Sequence, residues 1–281
     1  ITTDLDNNQI TAFHPGAMGA SVAAAIGTAG HEVIGVTKGR SQATIDRARC
    51  AQVSFIETLE EAMNVVDVVV SICPPEAALD VARDVQETGY EGIYVDGNAV
   101  SPQTAVAIGE LFGNRFVDGG IVGPPARRSG TTRFYLSGAL ANDVVGLFVD
   151  TLVTAQVISG GAGSASALKM CYAAYTKGSS ALVMAVRALA ESNGVTDALL
   201  AEWDLSQKGL RDSSERTALG TSSKAWRFEG EMLEIASTFD AAGLPAGFHR
   251  AAAEIYERMA HFKNEDPASL DQVIETLLDK R

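Results

Sequence analysis

Hydrophobic residues follow two different patterns along the chain, and the change falls near residue 160. Before it, short β-branched runs alternate with helical stretches. The strand-like runs are EVIGVT (32–37), VDVVVSIC (66–73), GIYVD (92–96), RFVDGG (115–120), TRFYLSG (132–138) and AQVISG (155–160). Strands that alternate with helices are typical of a parallel sheet covered on both faces, and the nearly all-apolar run at 66–73 is typical of its buried centre. We therefore predict an α/β domain with a doubly wound sheet over residues 1–160.

Beyond Gly160, Gly161 and Gly163 the strand pattern stops. Helical patterns occupy residues 165–193, 224–242, 246–263 and 268–280. They predict an all-helical second domain over residues 161–281, which begins with one long interdomain helix at about 165–193. The glycines are the only boundary signal, and the segment is too short for a flexible linker.

The net charge and the apolar runs of the chain argue against some classes of function. The chain has 281 residues, 46% hydrophobic content and a formal net charge of -13. This acidic balance argues against a nucleic-acid-binding surface, so an anionic ligand must be held by locally placed cations. No apolar run approaches the roughly 18 residues of a membrane span, and no signal segment opens the chain. We therefore expect a cytoplasmic protein without membrane contact.

The cysteines and histidines do not form a metal-binding pattern. Cys50, Cys73 and Cys171 are scattered without CxxC spacing, so neither a disulfide framework nor a zinc site is indicated. We expect them to be buried thiols. The four histidines likewise show no ligand spacing, and we predict no metal site.

The segment TAFHPGAMG (11–19) is a modified dinucleotide-binding fingerprint, GxGxxG. In that fingerprint the first glycine serves the tight turn, the second lets the backbone approach a pyrophosphate, and the third lets the helix pack on the strand. His14 stands at the first glycine position, whereas Gly16 and Gly19 keep the other two. Pro15 restricts His14 to extended geometry and fixes the turn. We therefore predict that this turn still binds a cofactor.

The start of the following helix supplies donors for an anion. The amides of Ala17 and Met18 would point at a phosphate from the helix N-terminus, where the helix dipole favours negative charge. The alternative is a glycine-containing turn with no ligand, because an incomplete GxGxxG is a weak signal.

The residues after the second strand indicate which cofactor binds. A free ribose 2′-hydroxyl usually meets an Asp or Glu about 20 residues after the fingerprint, whereas a 2′-phosphate needs a nearby Arg. Here the strand is followed by Lys38, Gly39, Arg40 and Ser41, without a carboxylate. This turn favours NADP, with Lys38, Arg40 and Ser41 around the phosphate. The alternative is a solvated basic turn in which Ser41 is simply the N-cap of a helix.

The order of six motifs resembles that of the β-hydroxyacid dehydrogenase superfamily, which includes 3-hydroxyisobutyrate dehydrogenase and 6-phosphogluconate dehydrogenase. The motifs are GAMG, GRS, CPP, DGNAVSP, a DGG loop and GAGSASALK before a long helix. The C-terminal half looks like a prokaryotic branch with a short 6-phosphogluconate-dehydrogenase-like domain. The resemblance implies a Rossmann-type domain, a long interdomain helix, an all-α domain and a homodimer formed through the helical domain.

The resemblance also implies further cofactor and substrate contacts. The family's DxSTxxP segment lies beside the nicotinamide and substrate, and its Ser and Thr are replaced here by Asn98 and Ala99, of which Asn98 can still donate an amide hydrogen bond. Cys73, Pro74 and Pro75 stand where the family packs the cofactor.

The family's substrate-carboxylate loop, DAPVSGG, is DGGIVGP in this chain. Its serine therefore maps to Val122, and Gly123 is retained, which weakens the case for a simple 3-hydroxy acid substrate. Arg127, Arg128 and Arg133 follow and could hold an anion instead. The alternative is that these arginines bind no ligand.

Lys169 is the catalytic candidate that the resemblance implies. A family lysine at this position gives or takes the proton on the substrate oxygen while hydride moves to or from the nicotinamide. The family's asparagine after it is absent. Tyr172 and Thr176 would share a helix face with Lys169. His249 could line a substrate pocket, although the alternative for it is a place in the core.

The family also has a Lys-Asp pair on a later helix, which aligns with Gly230 and Glu231. A cation that often approaches the cofactor is therefore missing from that helix.

We expect an NADP-dependent oxidoreductase that transfers hydride to or from a small polar hydroxy or carbonyl substrate. Three alternatives remain open: an imine reductase, in which the lysine position is typically replaced; a decarboxylating phosphogluconate dehydrogenase, whose helical domain is much larger; and a nucleotide-binding module without catalysis. We also expect a homodimer, because Leu182, Val183, Val186 and Leu189 place apolar side chains near the middle of the long helix.

Overall fold

The structure is a computed structural model that describes residues 9–13, 16–39, 41–263, 265–266 and 268–279. The chain forms two compact units, Ile1–Met170 and Cys171–Arg281. This division falls inside the long helix, whereas the boundary expected from the sequence was the glycine-rich segment before it.

The first unit contains one eight-stranded sheet. Its strands are β1 (Gln9–Phe13), β2 (Glu32–Val36), β3 (Ser54–Ile56), β4 (Val68–Ser71), β5 (Ile93–Asp96), β6 (Phe116–Val122), β7 (Thr132–Ser137) and β8 (Val153–Val157). Its helices are α1 (Ala17–Thr28), α2 (Gln42–Cys50), α3 (Leu59–Met63), α4 (Ala78–Glu87), α5 (Pro102–Phe112) and α6 (Ala141–Gly146). The six strand-like runs named above and the short strand expected before the fingerprint turn, β1, are all present, whereas β3 was not predicted.

The strand order is β3-β2-β1-β4-β5-β6-β7-β8. Strands β1 to β6 are parallel, so their carboxyl ends meet at one edge. Strand β7 is antiparallel to β6, and β8 is parallel to β7. The prediction of a fully parallel sheet is therefore wrong for the last two strands. The connection over residues 123–131 is too short for a parallel crossover, which needs about a dozen residues or more.

The core lies on both faces of this sheet. Val68 and Val70 belong to an apolar cluster that includes residues of α1 and α6, whereas Val69 belongs to another that includes residues of α4 and α5. All three side chains are fully buried. This arrangement confirms that the strand at 66–73 is central, because only a strand covered by helices on both sides buries consecutive residues.

The long helix α7 (Ser164–Ser192) confirms the helix predicted at 165–193. The second unit contains its later part and, in the described residues, five further α-helices. They are α8 (Thr196–Ser206), α9 (Leu210–Thr221), α10 (Ala225–Ala241), α11 (Gly247–Arg258) and α12 (Leu270–Leu278). The patterns at 224–242, 246–263 and 268–280 predicted α10, α11 and α12, but α8 and α9 were missed. Among the described residues, no helix is both long enough and apolar enough to span a membrane.

The expectation of buried thiols is wrong for two of the three cysteines. Cys50 and Cys171 are exposed, and Cys73 is partly buried. Cys50 is the last residue of α2. The only buried residue of this helix is Ala48, so the Cys50 side chain lies outside the core.

Candidate active site

The carboxyl edge of the sheet has a switch point between β1 and β4, where the strand order reverses direction. Ligands of doubly wound sheets bind outside the strand ends at such a point. Helix α1 begins here with Gly16 as its extended N-cap. Gly16 has no side chain to cap the first-turn amides, which have no partner within the helix. Gly19 is buried, as the packing role of the third fingerprint glycine requires. His14 and Pro15 lie outside the described residues.

The predicted phosphate-binding turn follows β2. Its backbone is held to the adjacent chain segment, because the amides of Thr37 and Lys38 donate to the carbonyls of Ile56 and Glu57 at 3.0 and 3.1 Å. The Lys38 side chain is exposed. Ser41 is the N-cap of α2 and accepts a hydrogen bond from the Thr44 amide at 3.4 Å, as the structural alternative predicted. Arg40 lies outside the described residues.

Asn98 joins the ends of β4 and β5 from a buried position with 1% exposure. Its amide group donates to the Ser71 hydroxyl at 3.3 Å and to the Asp96 carboxylate. Its carbonyl oxygen accepts the Cys73 backbone amide at 2.6 Å. Both sides of the Asn98 amide are thus engaged within the protein. Asn98 therefore fixes the Cys73–Pro75 segment, and its resemblance-based role as a donor to substrate remains a prediction.

Glycines at the end of β6 let α7 approach the sheet closely. A Cβ atom on Gly120 would lie 2.6 Å from the Ala165 carbonyl oxygen and 3.0 Å from the Lys169 Cβ atom. Only glycine fits this approach. As a result, the Lys169 amine reaches the end of β6 and donates a hydrogen bond to the Ile121 carbonyl oxygen at 2.8 Å. The structure therefore brings Lys169 to the loop that the resemblance assigns to substrate binding.

Asp118, also on β6, is fully buried and binds the start of α7. One carboxylate oxygen accepts the amides of Ala165 and Ser166 at 2.8 and 3.1 Å and the Ser137 hydroxyl at 3.2 Å. The other accepts the Ser166 hydroxyl at 2.6 Å. Burial raises the pKa of the Asp118 carboxyl, and these hydrogen bonds oppose the rise. Sequence reasoning missed this group, although a carboxylate inside the apolar run RFVDGGIV was a usable signal.

The loop after β6 packs closely on the chain at its start and contacts α1 at Ala126. Val122 has 2% exposure, so its side chain belongs to the core and only its backbone can meet a ligand. Gly123 has a φ of +117°, and a Cβ atom there would lie 2.1 Å from the Thr131 carbonyl oxygen. The Ala126 amide donates to the Ser21 hydroxyl of α1 at 2.7 Å.

The three arginines of this region differ in their contacts. Arg127 and Arg128 are exposed within the loop. Arg133, on β7, donates to the Gly130 carbonyl oxygen at 3.3 Å. Arg127 and Arg128 therefore remain candidates for holding an anion, whereas Arg133 contacts the turn that precedes its own strand.

The remaining predicted substrate residues belong to the second unit. Tyr172 is 46% exposed, and the Thr176 hydroxyl donates back to the Tyr172 carbonyl oxygen at 3.1 Å. His249 is buried, with its ring centroid 4.2 Å from that of Phe239 and 5.2 Å from that of Phe248. Burial lowers the pKa of His249. This packing agrees with the core alternative for His249, because its ring is enclosed by aromatic neighbours.

Glu231 lies where the resemblance aligns the family's Lys-Asp pair, whose lysine this chain lacks. Its carboxylate pairs with Lys177 of α7. The two side chains are only 11% and 14% exposed. The Lys177 amine also lies 4.4 Å from the centroid of the Phe228 ring, and the Tyr256 hydroxyl donates to the Lys177 carbonyl oxygen at 2.7 Å. A lysine therefore does contact helix α10, but this lysine, Lys177, belongs to α7.

Two segments of the chain match known protein families. Residues 14–99 match the family described as NADP oxidoreductase, coenzyme F420-dependent. Residues 190–259 match a domain of unknown function, DUF1932. The first segment contains the fingerprint turn and the strand ends of β4 and β5. The second lies within the helical unit.

One curated relative is an uncharacterized 28.5 kDa protein from Methanothermus fervidus, encoded in the 5′ region of a 7S RNA. It is 34% identical over 170 residues, which cover 60% of this chain and 66% of the relative. The chain thus spans just under two thirds of that protein.

Solved structures of similar fold include dehydrogenases, reductases and proteins of unknown function. A conserved protein of unknown function, described as structurally similar to 3-hydroxyacid dehydrogenases, is 27% identical, with a TM-score of 0.66 over 90% of this chain and 97% of its own. The 3-hydroxyisobutyrate dehydrogenase of Mycobacterium tuberculosis is 18% identical, with a TM-score of 0.68 over 97% and 99%. A reductive aminase from Aspergillus terreus, solved with NADPH, is 18% identical, with a TM-score of 0.55 over 96% and 99%. At 18% identity the likeness shows a shared fold.

The fingerprint segment, the helical domain and the full-length likeness to hydroxyacid dehydrogenases agree with the motif order in the sequence. These findings are consistent with the β-hydroxyacid dehydrogenase-like superfamily.

Proposed function

We propose that this protein is an NADP-dependent oxidoreductase that transfers hydride between nicotinamide and a small polar hydroxy or carbonyl substrate, with Lys169 as the general acid and base. The observation that carries the proposal is the hydrogen bond from the Lys169 amine to the Ile121 carbonyl oxygen, at 2.8 Å. This contact puts an ionisable amine at the carboxyl edge of the sheet, beside the loop at Val122 and Gly123. Active sites of doubly wound folds lie at that edge.

The first unit fits a dinucleotide. The extended Gly16 and the first-turn amides of Ala17 and Met18 would hold the pyrophosphate at the switch point. The Cys73–Pro75 segment, fixed by Asn98, would line the cofactor beyond the end of β4. When bound, the nicotinamide would supply or accept the hydride.

The turn after β2 supports NADP over NAD. Lys38, Arg40 and Ser41 would surround a 2′-phosphate, and the turn has no carboxylate to bind a ribose diol. Charge-assisted hydrogen bonds of this kind contribute about 1.5 to 3 kcal/mol each. The reductive aminase of similar fold was solved with NADPH, which agrees with this choice.

Lys169 would handle the proton of the reaction. During reduction its ammonium group gives a proton to the substrate oxygen as the hydride arrives at the carbon. During oxidation its neutral amine takes the hydroxyl proton back. The Ile121 carbonyl oxygen orients the amine by accepting one of its hydrogens. Arg127 and Arg128 would attract an anionic group on the substrate.

A substrate panel tests this function. Small aldehydes, keto acids and the corresponding hydroxy acids would be assayed by NADPH absorbance, with cyclic imines as a separate arm. We expect turnover of a carbonyl or hydroxy compound, with NADPH preferred over NADH by about 100-fold in kcat/KM. Turnover of imines alone would favour the imine reductase alternative. Cofactor binding without turnover of any compound would favour a non-catalytic nucleotide-binding module.

The second unit also supports a homodimer, which we propose as the working form. On α7, Tyr175, Leu182 and Leu189 are 79%, 50% and 63% exposed and recur every seven residues along one stripe. An apolar helix stripe of this length favours burial against a partner surface. Sedimentation at micromolar concentration should give a dimer, and a monomer would contradict the proposal.

A further inference from the structure

Asp118, the third residue of β6, connects this strand to the first turn of α7. Its carboxylate accepts four hydrogen bonds, two of them from the backbone amides of Ala165 and Ser166 at 2.8 and 3.1 Å. These amides are among the first donors of a helix, which have no partner within the helix itself. A negative charge near the N-terminus of a helix also interacts favourably with the helix dipole. Asp118 is therefore the N-terminal cap of α7, supplied from a strand.

The same network holds the turn that precedes the helix. The Ser137 hydroxyl is within 2.9 Å of the Gly161 carbonyl oxygen and within 3.2 Å of the Asp118 carboxylate, and it accepts the Ala165 amide at 3.1 Å. Strands β6 and β7, the glycine-rich turn and the helix start are thus joined at one buried point. The axial position of α7 on the sheet is set there.

Lys169 depends on that axial position. It lies one helical turn after Ala165, and its Cβ atom packs over Gly120 on the same strand as Asp118. A helix rises by about 1.5 Å per residue, so a one-residue slip along β6 would move the Lys169 Cβ atom off Gly120 by about that distance and shift the amine relative to the Ile121 carbonyl oxygen. A small displacement of a catalytic group is sufficient to lower its rate strongly.

We propose that Asp118 is a positioning residue for Lys169, because its buried carboxylate fixes the start of α7 on β6 and so places the Lys169 amine at the Ile121 carbonyl oxygen. This inference rests on the proposed function, in which Lys169 transfers the proton. It assigns to Asp118 no contact with substrate or cofactor.

The variant Asp118→Asn tests the role. It keeps the volume of the side chain but replaces one acceptor oxygen with a donor, which would oppose the amides or hydroxyl now bound there. With the substrate found in the panel, we expect kcat to fall by about tenfold or more, while KM for NADPH changes by less than about twofold. All measurements would be made where circular dichroism shows the variant folded.

A second readout does not depend on activity. Limited acetylation with acetic anhydride, followed by peptide mapping, gives the rate of modification of Lys169 relative to the exposed Lys38. In Asp118→Asn this ratio should change by about threefold or more, because the Lys169 amine would lose its fixed position. Ser269→Ala is the matched control. Ser269 caps α12 through the Gln272 amide at 3.2 Å, so its loss should lower Tm while leaving both kcat and the ratio unchanged.

The outcomes separate the two proposals. If Asp118→Asn lowers Tm but changes neither kcat nor the acetylation ratio, Asp118 only stabilises the fold and the inference is wrong. If the ratio changes but Lys169→Met is fully active, the catalytic role of Lys169 fails while the placement by Asp118 stands. If Asp118→Asn does not fold, Ser166→Ala removes the hydroxyl bonded at 2.6 Å and must change both readouts in the same direction. Unchanged readouts there would overturn the inference.

Discussion

The carboxyl edge of the sheet and the interior of the helical unit both bury polar groups, but they use them differently. At the sheet edge, Asp118 and Asn98 bind backbone amides and thereby fix segments around Lys169 and Cys73. In the helical unit, Lys177 and Glu231 bind each other and join α7 to α10. The first arrangement presents groups at the strand ends, where doubly wound sheets in general bind their ligands, whereas the second holds helices together.

Two lysines of α7 show what this difference means. Lys169 directs its amine to a neutral carbonyl oxygen beside the candidate substrate loop. Lys177 directs its amine to a carboxylate and lies over an aromatic ring. We expect changes around Lys169 and the cofactor turn to affect activity, and changes around Lys177 to affect stability.

The largest stability effect should follow from Glu231→Ala. The substitution leaves the charge of the Lys177 side chain, which is 14% exposed, without its partner, and breaking a buried pair in this way costs about 3 kcal/mol or more. Urea unfolding would measure the loss. Arg250→Ala is the matched control, because the Arg250–Asp240 pair is about half exposed and its loss should cost under about 1 kcal/mol. Equal losses would show that the Lys177–Glu231 pair does not hold the helices.

Arg40→Ala should act on the cofactor rather than on the fold. We expect NADPH binding to weaken by about tenfold or more, with NADH almost unaffected, because one charge-assisted contact to the 2′-phosphate is lost. Titration of each cofactor against protein fluorescence would measure this. Arg49→Ala removes the same charge from the exposed end of α2 and serves as the control. Equal weakening of both cofactors would show that Arg40 supports the turn, and not the phosphate.

The smallest effect concerns His249 in the helical unit. Its folded-state pKa lies below the ordinary value because burial disfavours the charged ring. The unfolded state therefore binds more protons in acid, so the stability that His249 contributes is present above an ordinary pKa of about 6.5 and is lost as pH falls below it. His249→Phe should flatten the pH dependence of the unfolding free energy between about pH 7 and 5. An unchanged slope would contradict a buried, neutral ring.

Much of the fold could be predicted because local patterns coincide with burial. The apolar run around Val68 predicted a central strand, and the long 165–193 pattern predicted α7. Strand β3 was missed because it has only three residues, none of them fully buried. Helix α9 was missed because its sequence, LRDSSERTALGT, lacks a clear apolar stripe. A polar contact helps to hold it against α7, since Arg187 donates a hydrogen bond to the Ser214 hydroxyl at 2.7 Å.

The candidate site was only partly visible in the sequence. Lys169 and the fingerprint turn were identified through the resemblance, since a lone helical lysine carries no signal. Asp118 was overlooked because its four hydrogen bonds come from three residues of β7 and α7, which the single sequence does not bring together. The Lys177–Glu231 pair was missed for the same reason, because long-range charge pairing depends on how α7 and α10 pack.

The most direct test of the central claim is the turnover of Lys169→Met with NADPH and the substrate found in the panel. We predict that NADPH binding stays within about twofold of the unmodified protein while kcat falls by about 100-fold or more, the scale of a lost general acid and base. Lys169→Arg should be similarly slow, because it keeps the positive charge but does not release a proton. Unchanged turnover in Lys169→Met would contradict the account.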